Sequence, residues 1–210
     1  MTGSAAGRKL PSSSVPAAIY IIRHGEKPLE PDRPPHGVDM HGQHHDDSLV
    51  PQGWQRAGGL AGLFDPADGV FRNSLLATPT IIAVPDYGHP SKHRTYQTVL
   101  PLCLKLSKQP TITVDVGKEH HLVTWLLKQV DQTILVCWEH DHIADITTAL
   151  APFISGGVVP GPWPSSRFDV VVSLTTDARH PGSFLCAQVP QLLLAGDSTE
   201  PIPPAPPKQP

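Results

Sequence analysis

Short apolar runs and longer stretches of helical periodicity alternate along most of the chain. The short runs predict buried strands at 18–22, 80–84, 111–114, 133–138, 168–174 and 183–189. Apolar residues that recur every three or four positions predict helices at 51–64, 93–106, 121–130 and 143–150. Alternating strands and helices favour a parallel-rich sheet with helices on both faces. We therefore expect an α/β fold, a three-layer αβα sandwich with a mostly parallel central sheet.

The two ends of the chain lack this pattern. Residues 1–16 are small and polar, and residues 198–210 are rich in proline. We expect a flexible N-terminal tail over 1–16, one domain over 17–197 and a disordered tail over 198–210.

Charge and composition narrow the range of partners. The net charge of -3 gives no basic excess for nucleic acid. No apolar run approaches the length of a membrane span, so we expect no membrane partner. The odd set of cysteines lies in apolar sequence, which favours reduced thiols and a cytoplasmic location: Cys103, Cys137 and Cys186. The oligomeric state is left open.

Three polar motifs follow or precede the apolar runs. Arg23-His24-Gly25 ends the first run, and His140 follows the run at 133–138. Arg94, with Gln97-Thr98 behind it, opens the second helix. Open α/β sheets bind ligands at the carboxyl ends of their strands. Arginines there suit an anion, because a planar guanidinium matches two phosphate oxygens at once.

In this order the motifs resemble the histidine phosphatase superfamily, whose founding members are the cofactor-dependent phosphoglycerate mutases. The resemblance runs from about residue 17 to about residue 189 and implies one phosphate pocket. It implies that His24 is the nucleophile and forms a phosphohistidine. Arg23 and Arg94, with His24 and His140, would bind the phosphate. His140 is preferred over His142 because it directly follows the strand.

The proton donor has two candidates. Glu119 lies 119 − 94 = 25 positions after Arg94 and is followed by two histidines, which resembles the mutase-like branch. Asp141 follows His140, and a His-Asp pair resembles the acid-phosphatase branch. Glu119 is the first choice and Asp141 the alternative, with Glu26 a distant third.

Departures from both branches bear on the reaction. Lys27 stands where the acid-phosphatase branch has a second arginine, and the first motif lacks the hydroxyl residue and asparagine of mutases. We therefore expect hydrolysis of a small phosphorylated substrate, without metal or cofactor, since two arginines and two histidines supply the positive charge. A phosphomutase and a non-catalytic phospho-ligand-binding member are the alternatives.

A histidine-rich loop offers a second kind of site. His41, His44 and His45 would face one way on a helix and would then suit zinc or nickel. Glycines and prolines around them argue against a helix. A solvated loop that covers the substrate is the preferred interpretation, so no metal ligand is assigned.

Overall fold

Strands and helices alternate along the residues that the structure describes. The structure is a computed structural model, and it describes residues 14–30 and 32–206. The strands are β1 (Ala18–Arg23), β2 (Ile81–Asp86), β3 (Thr111–Asp115), β4 (Thr133–Trp138), β5 (Ile154–Gly157), β6 (Val170–Thr176) and β7 (Phe184–Pro190). The α-helices are α1 (Pro51–Phe64), α2 (Arg94–Lys105), α3 (Glu119–Leu126) and α4 (His140–Leu150). The predicted α/β class is confirmed.

The strands form a seven-stranded mixed sheet in the order β3-β2-β4-β1-β6-β7-β5. β1, β4, β2 and β3 run parallel to one another. β6 is antiparallel to both of its neighbours, β1 and β7, and β5 pairs with β7 in parallel. The sheet is therefore mostly parallel, as predicted, with one reversed strand inside it.

The β1 strand is buried along its whole length. Ile19 and Ile21 lie in one apolar cluster with residues of α3 and α4. Tyr20 and Ile22 lie in a second cluster with residues of α1 and α2. Since successive side chains of a strand point to opposite faces, the two clusters lie on opposite sides of β1. Because apolar residues cover both faces of β1, polar side chains are accommodated only at its end.

Several element boundaries differ from the prediction, and one strand was not predicted. α3 begins at Glu119, two residues before the expected start, and ends at Leu126. α4 begins at His140, three residues early, so the strand leads into the helix with almost no loop. β5 was not predicted, because Ile154–Gly157 is short and contains two glycines. Its strand conformation comes from pairing with β7.

The other composition-based expectations concern thiols and membrane spans. All three cysteines are buried and free of disulfides, as predicted. Within the described ranges, no helix is both long and apolar enough to cross a membrane.

The proline-rich C-terminal segment packs against the sheet. Ile202 is 1% exposed, and its backbone N–H and C=O bond the side-chain amide of Gln188 on β7 at 2.8 and 2.9 Å. The Pro203 carbonyl accepts from the Gly161 N–H at 2.8 Å. The expected disordered tail therefore differs from the structure over 198–206, where these contacts anchor the chain. Residues 207–210, and 1–13 of the expected N-terminal tail, lie outside the described residues.

Shortening the Ile202 side chain tests this anchor. We expect Ile202→Ala to lower the free energy of unfolding by about 2–5 kcal/mol, the usual cost of emptying a buried aliphatic site. Pro206→Ala changes an exposed residue of the same segment and should stay within about 0.5 kcal/mol of wild type. Equilibrium denaturation measures both variants. Equal stability of the two variants would contradict the packed segment.

Candidate active site

The parallel pairing of β1 and β4 brings their carboxyl ends together. Arg23 lies opposite Trp138 in the register. The pairing continues one residue further, because the His24 N–H donates to the Trp138 carbonyl at 3.2 Å. His140 follows two residues later as the first residue of α4. Arg23, His24 and His140 therefore lie at the same edge of the sheet.

The Arg23 guanidinium is fully buried and held on one side only. Its Nη1 donates to the carbonyls of Ser165, Arg167 and Pro164 at 2.7, 3.0 and 3.3 Å. The ring of Phe168 lies 3.8 Å from the guanidinium carbon, a cation–π contact. Within the described residues, the buried Nε and Nη2 have no hydrogen-bond partner. These two donors form the edge of the guanidinium that binds an oxyanion with two parallel hydrogen bonds.

The burial of Arg23 does not remove its charge. Burial lowers the pKa of Arg23 to about 10, while the carboxylates of Asp141 and Glu26 act in the opposite direction. The side chain is therefore still a cation at neutral pH. A buried cation with two free donors next to a histidine is a strong anion-binding group.

The His24 ring is buried and has a defined tautomer. Nδ1 lies 2.7 Å from the Gly25 carbonyl, which only accepts, so Nδ1 carries the proton. Burial lowers the pKa of His24 well below 6.5, and the positive charges of Arg23, Arg94 and His140 act in the same direction. The imidazole is therefore neutral at pH 7, with its lone pair on Nε2. This is the form that a nucleophilic histidine needs.

Electrostatic coupling joins His140 to the same group of residues. Burial lowers the pKa of His140, and the charges of Arg23 and Lys27 lower it further, whereas Asp141 opposes them. The His140 side chain is 12% exposed. The charges of Arg23, Arg94 and His140 thus all act on His24, and those of Arg23 and Lys27 act on His140.

Gln97 and Thr98 act as supports for the loops around the site. The Thr98 hydroxyl accepts from the Gly25 N–H at 2.8 Å and donates to the Arg94 carbonyl at 2.7 Å. The Gln97 side chain accepts from the Leu49 N–H at 2.9 Å and donates to the Ser48 hydroxyl at 2.9 Å. The motif on α2 therefore connects the loop after β1 to the segment before α1.

Gly25 allows this loop to lie against α1. A Cβ atom at Gly25 would lie 2.9 Å from the Gly53 carbonyl oxygen. A Cβ atom at Gly53 would lie 2.5 Å from the Glu26 carbonyl oxygen. Any side chain at either position would push the loop off the helix.

Glu26 is engaged in a buried ion-pair network. The Arg56 Nη2 lies 2.7 Å from Glu26 Oε1 and 2.8 Å from Asp197 Oδ1. Arg56 Nη1 also donates to Gln191 Oε1 at 3.0 Å. Glu26, the third candidate for proton donor, is thus an acceptor for Arg56 and fixes the loop that carries His24.

The two main donor candidates have different surroundings. Asp141 Oδ1 lies 3.2 Å from His140 Nε2, and the Asp141 side chain is 74% exposed. Glu119 is buried and accepts from the Trp138 indole N–H at 3.0 Å and the Gly117 N–H at 2.8 Å. Its next contact is His142 Nδ1 at 3.4 Å. The structure therefore places Asp141 beside His140, and Glu119 at the start of α3 against Trp138 of β4 and His142 of α4.

The histidine-rich loop forms a turn instead of a helix. Val38 and His44 make an antiparallel bridge. The Asp39 carboxylate accepts from the N–H groups of His41 and Gln43 at 2.9 Å each. His41, His44 and His45 therefore do not share a helix face. The Asp46 carbonyl accepts from Arg94 Nη1 at 3.1 Å, so this loop lies against the Arg94 side chain.

Several residues of the site carry no signal in the sequence. Arg23 contacts Phe168 and three carbonyls more than 140 residues away along the chain, those of Pro164, Ser165 and Arg167. Glu139 accepts a short hydrogen bond from the Tyr87 hydroxyl, and Tyr87 stacks on His93 at 4.0 Å. Glu139 lies beside His140 in the sequence, but its bond with Tyr87, like the contacts of Arg23, depends on tertiary structure alone.

Comparison with known proteins gives a remote similarity of fold. No family model matches the chain, and no curated protein matches it. Among solved structures, it is similar to a protein from Agrobacterium tumefaciens described as a candidate phosphohistidine phosphatase, SixA. The identity is 14% and the TM-score 0.43, over 81% of this chain and 96% of that chain. A similarity this remote assigns no role to any residue of this chain.

The buried neutral histidine predicts a pH dependence of stability. Since the pKa of His24 is lowered by folding, the unfolded chain binds more protons at acid pH. The free energy of unfolding of wild type should therefore fall, relative to that of His24→Gln, as the pH drops below about 6.5. Denaturant titrations between about pH 8 and pH 5 measure this difference. His24→Asn, which also does not titrate, should behave like His24→Gln; a difference that is constant with pH would contradict the buried neutral state.

Proposed function

We propose that this protein is a phosphatase of the histidine phosphatase superfamily that hydrolyses a phosphate monoester through a phosphohistidine on His24. The observation that carries the proposal is the pair of buried, unpartnered donors on Arg23, next to a neutral imidazole with its lone pair on Nε2. An oxyanion that accepts from Arg23 Nε and Nη2 would satisfy both donors and lie beside the nucleophile.

In the first step, His24 Nε2 attacks phosphorus and the bond from phosphorus to the leaving oxygen breaks. Arg23 and Arg94 neutralise the charge on the equatorial oxygens, and His140 donates a hydrogen bond to the same group. In the second step, water attacks the phosphohistidine and gives a proton to the carboxylate that protonated the leaving group; the P–N bond breaks and inorganic phosphate leaves. The negative charge of a bound phosphate would favour the protonated form of His140.

The positive charge of the pocket comes from protein side chains. Two arginines, His140 and the nearby Lys27 balance a phosphate dianion, so the chemistry proposed here uses no metal ion. We infer a small phosphorylated substrate without a nucleic-acid or membrane component, consistent with the net charge of -3.

We assign the proton donor to Asp141 in preference to Glu119, reversing the order that the sequence suggested. Asp141 contacts His140 at 3.2 Å and its charge acts on Arg23. Glu119 is buried and already accepts hydrogen bonds from the Trp138 indole N–H and the Gly117 N–H. Exposure of Asp141 gives it access to the leaving group and to solvent protons.

Substitutions at Arg23 and His24 test the proposal. His24→Ala should abolish turnover, and Arg23→Lys should lower kcat/KM by at least about a hundredfold, because lysine provides one point charge in place of a two-donor edge. The assay is phosphate release from aryl phosphates, sugar phosphates, nucleotides and phosphopeptides, with EDTA present. Wild type should be inhibited by vanadate. His121→Ala, which changes an exposed histidine on α3, is the matched control and should keep wild-type activity.

Two outcomes of this assay separate the alternatives. Normal turnover by His24→Ala on every substrate would contradict the phosphohistidine mechanism. Turnover that requires a bisphosphate primer would favour the phosphomutase, and binding without turnover on any substrate would favour the non-catalytic member.

The leaving group distinguishes the two donor candidates. Asp141→Asn should slow hydrolysis of alkyl phosphates by ~10²–10⁴-fold and leave activated aryl phosphates almost unaffected, since an aryl oxide departs without a proton. Glu119→Gln should not show this dependence on the leaving group. Steady-state kinetics on one alkyl and one aryl phosphate measures both. The reverse result would return the role of proton donor to Glu119.

A further inference from the structure

A second cluster of ionisable side chains lies between α3 and α4. Glu119 is the first residue of α3, and His142 and Asp145 are one turn apart on α4. His142 Nδ1 lies 3.4 Å from Glu119 Oε1 and 3.5 Å from Asp145 Oδ2. None of these three residues has a role in the phosphatase mechanism assigned above.

The spacing of the three ligand atoms suits a metal ion. Bonds of 2.0–2.2 Å to zinc in a tetrahedral site place neighbouring ligand atoms roughly 3.3–3.6 Å apart. Both distances from His142 Nδ1 fall in this range, and all three ligand atoms lie within 4.8 Å of one another. The Asp145 side chain is 65% exposed, so it is free to close the remaining separation by rotation.

The surroundings also fit a metal site. The Gly117 N–H and the Trp138 indole N–H both donate to Glu119 Oε1 and fix its orientation, as outer residues do for metal-bound carboxylates. His142 Nδ1 is buried and makes no hydrogen bond within the part of the chain that the structure describes. A cavity of about 300 Å³ bordered by Glu119, His120 and Asp145 gives access from solvent.

We propose that Glu119, His142 and Asp145 bind a divalent transition-metal ion, for which zinc is the best match, with water as the fourth ligand. One imidazole nitrogen and two carboxylate oxygens suit zinc, whereas magnesium and calcium prefer oxygen ligands alone. The bound ion would join the start of α3 to the first turns of α4. It would lie outside the phosphate pocket, and its binding does not depend on the proposed phosphatase activity.

A protonated His142 that pairs with both carboxylates is the competing explanation. Both separations are within ion-pair distance but longer than the 2.7–3.2 Å of an N–H···O hydrogen bond, so neither carboxylate satisfies Nδ1 with a direct hydrogen bond. The two explanations differ in one measurable property, because only the metal site takes up zinc in a fixed ratio.

Calorimetric titration of the full chain, first stripped with a chelator and then dialysed, tests the site. Zinc chloride should bind with one equivalent, and magnesium chloride should give no saturable binding. His142→Ala and Asp145→Asn should each weaken zinc binding by at least about tenfold, the lower end of what losing even an outer residue costs. His121→Ala, an exposed histidine on α3, is the matched control and should bind like wild type.

Thermal unfolding provides a second readout that shows whether each variant folds. Zinc should raise the Tm of wild type and of His121→Ala, but not that of Asp145→Asn. Zinc binding that is unchanged in both His142→Ala and Asp145→Asn would overturn the proposal. So would loss of the zinc equivalent in His44→Ala alone, because the ion would then lie in the histidine-rich loop.

Discussion

Burial of the Arg23 guanidinium is the constraint on which the candidate site depends. Removing a cation from water costs several kcal/mol unless the protein supplies replacement partners. Three carbonyl groups and the face of Phe168 supply them on one side. The two donors on the other edge are left without a partner among the described residues. A phosphate group completes this arrangement in the proposed function, so that binding would relieve part of the cost of burial.

The carbonyls around Arg23 must themselves be held in place. Arg167, whose carbonyl is one of them, bonds Asp169 at 2.7 Å and the Glu200 carbonyl at 2.8 Å. Asp169 also accepts from the Ser198 N–H at 2.6 Å. The C-terminal segment therefore supports the loop that orients the guanidinium. Arg56 has a parallel role on the other side, where it joins the loop after His24 to Asp197.

Local patterns in the sequence were sufficient to predict six of the seven strands and the carboxyl ends of β1 and β4. An apolar run followed by Arg23-His24 marks a buried strand and its exit, and the same holds for the run before His140. β5 and the anchored segment around Ile202 were not predictable, because pairing with β7 and with Gln188 determines their conformations. Glycines and prolines in these segments carry no periodicity that a local rule could detect.

The candidate site also combines residues that the sequence identifies with residues that only tertiary contacts bring together. Residues that carry charge next to a strand end were identified from the sequence, whereas their partners lie far away along the chain. Glu119 matched a spacing along the chain, yet its contacts are with Trp138 and His142. Spacing along the chain does not specify which side of α3 faces the pocket. Asp141 follows His140 directly in the sequence, and its Oδ1 lies 3.2 Å from His140 Nε2.

The geometry of a bound phosphate mimic tests the central claim most directly. A crystal structure of the protein with vanadate should show the metal oxyanion bonded to Arg23 Nε and Nη2, with vanadium in line with His24 Nε2 and within bonding distance of it. Arg94 and His140 should contact the remaining oxygens. An oxyanion bound elsewhere, or a His24 ring turned so that Nε2 faces away from it, would contradict the account.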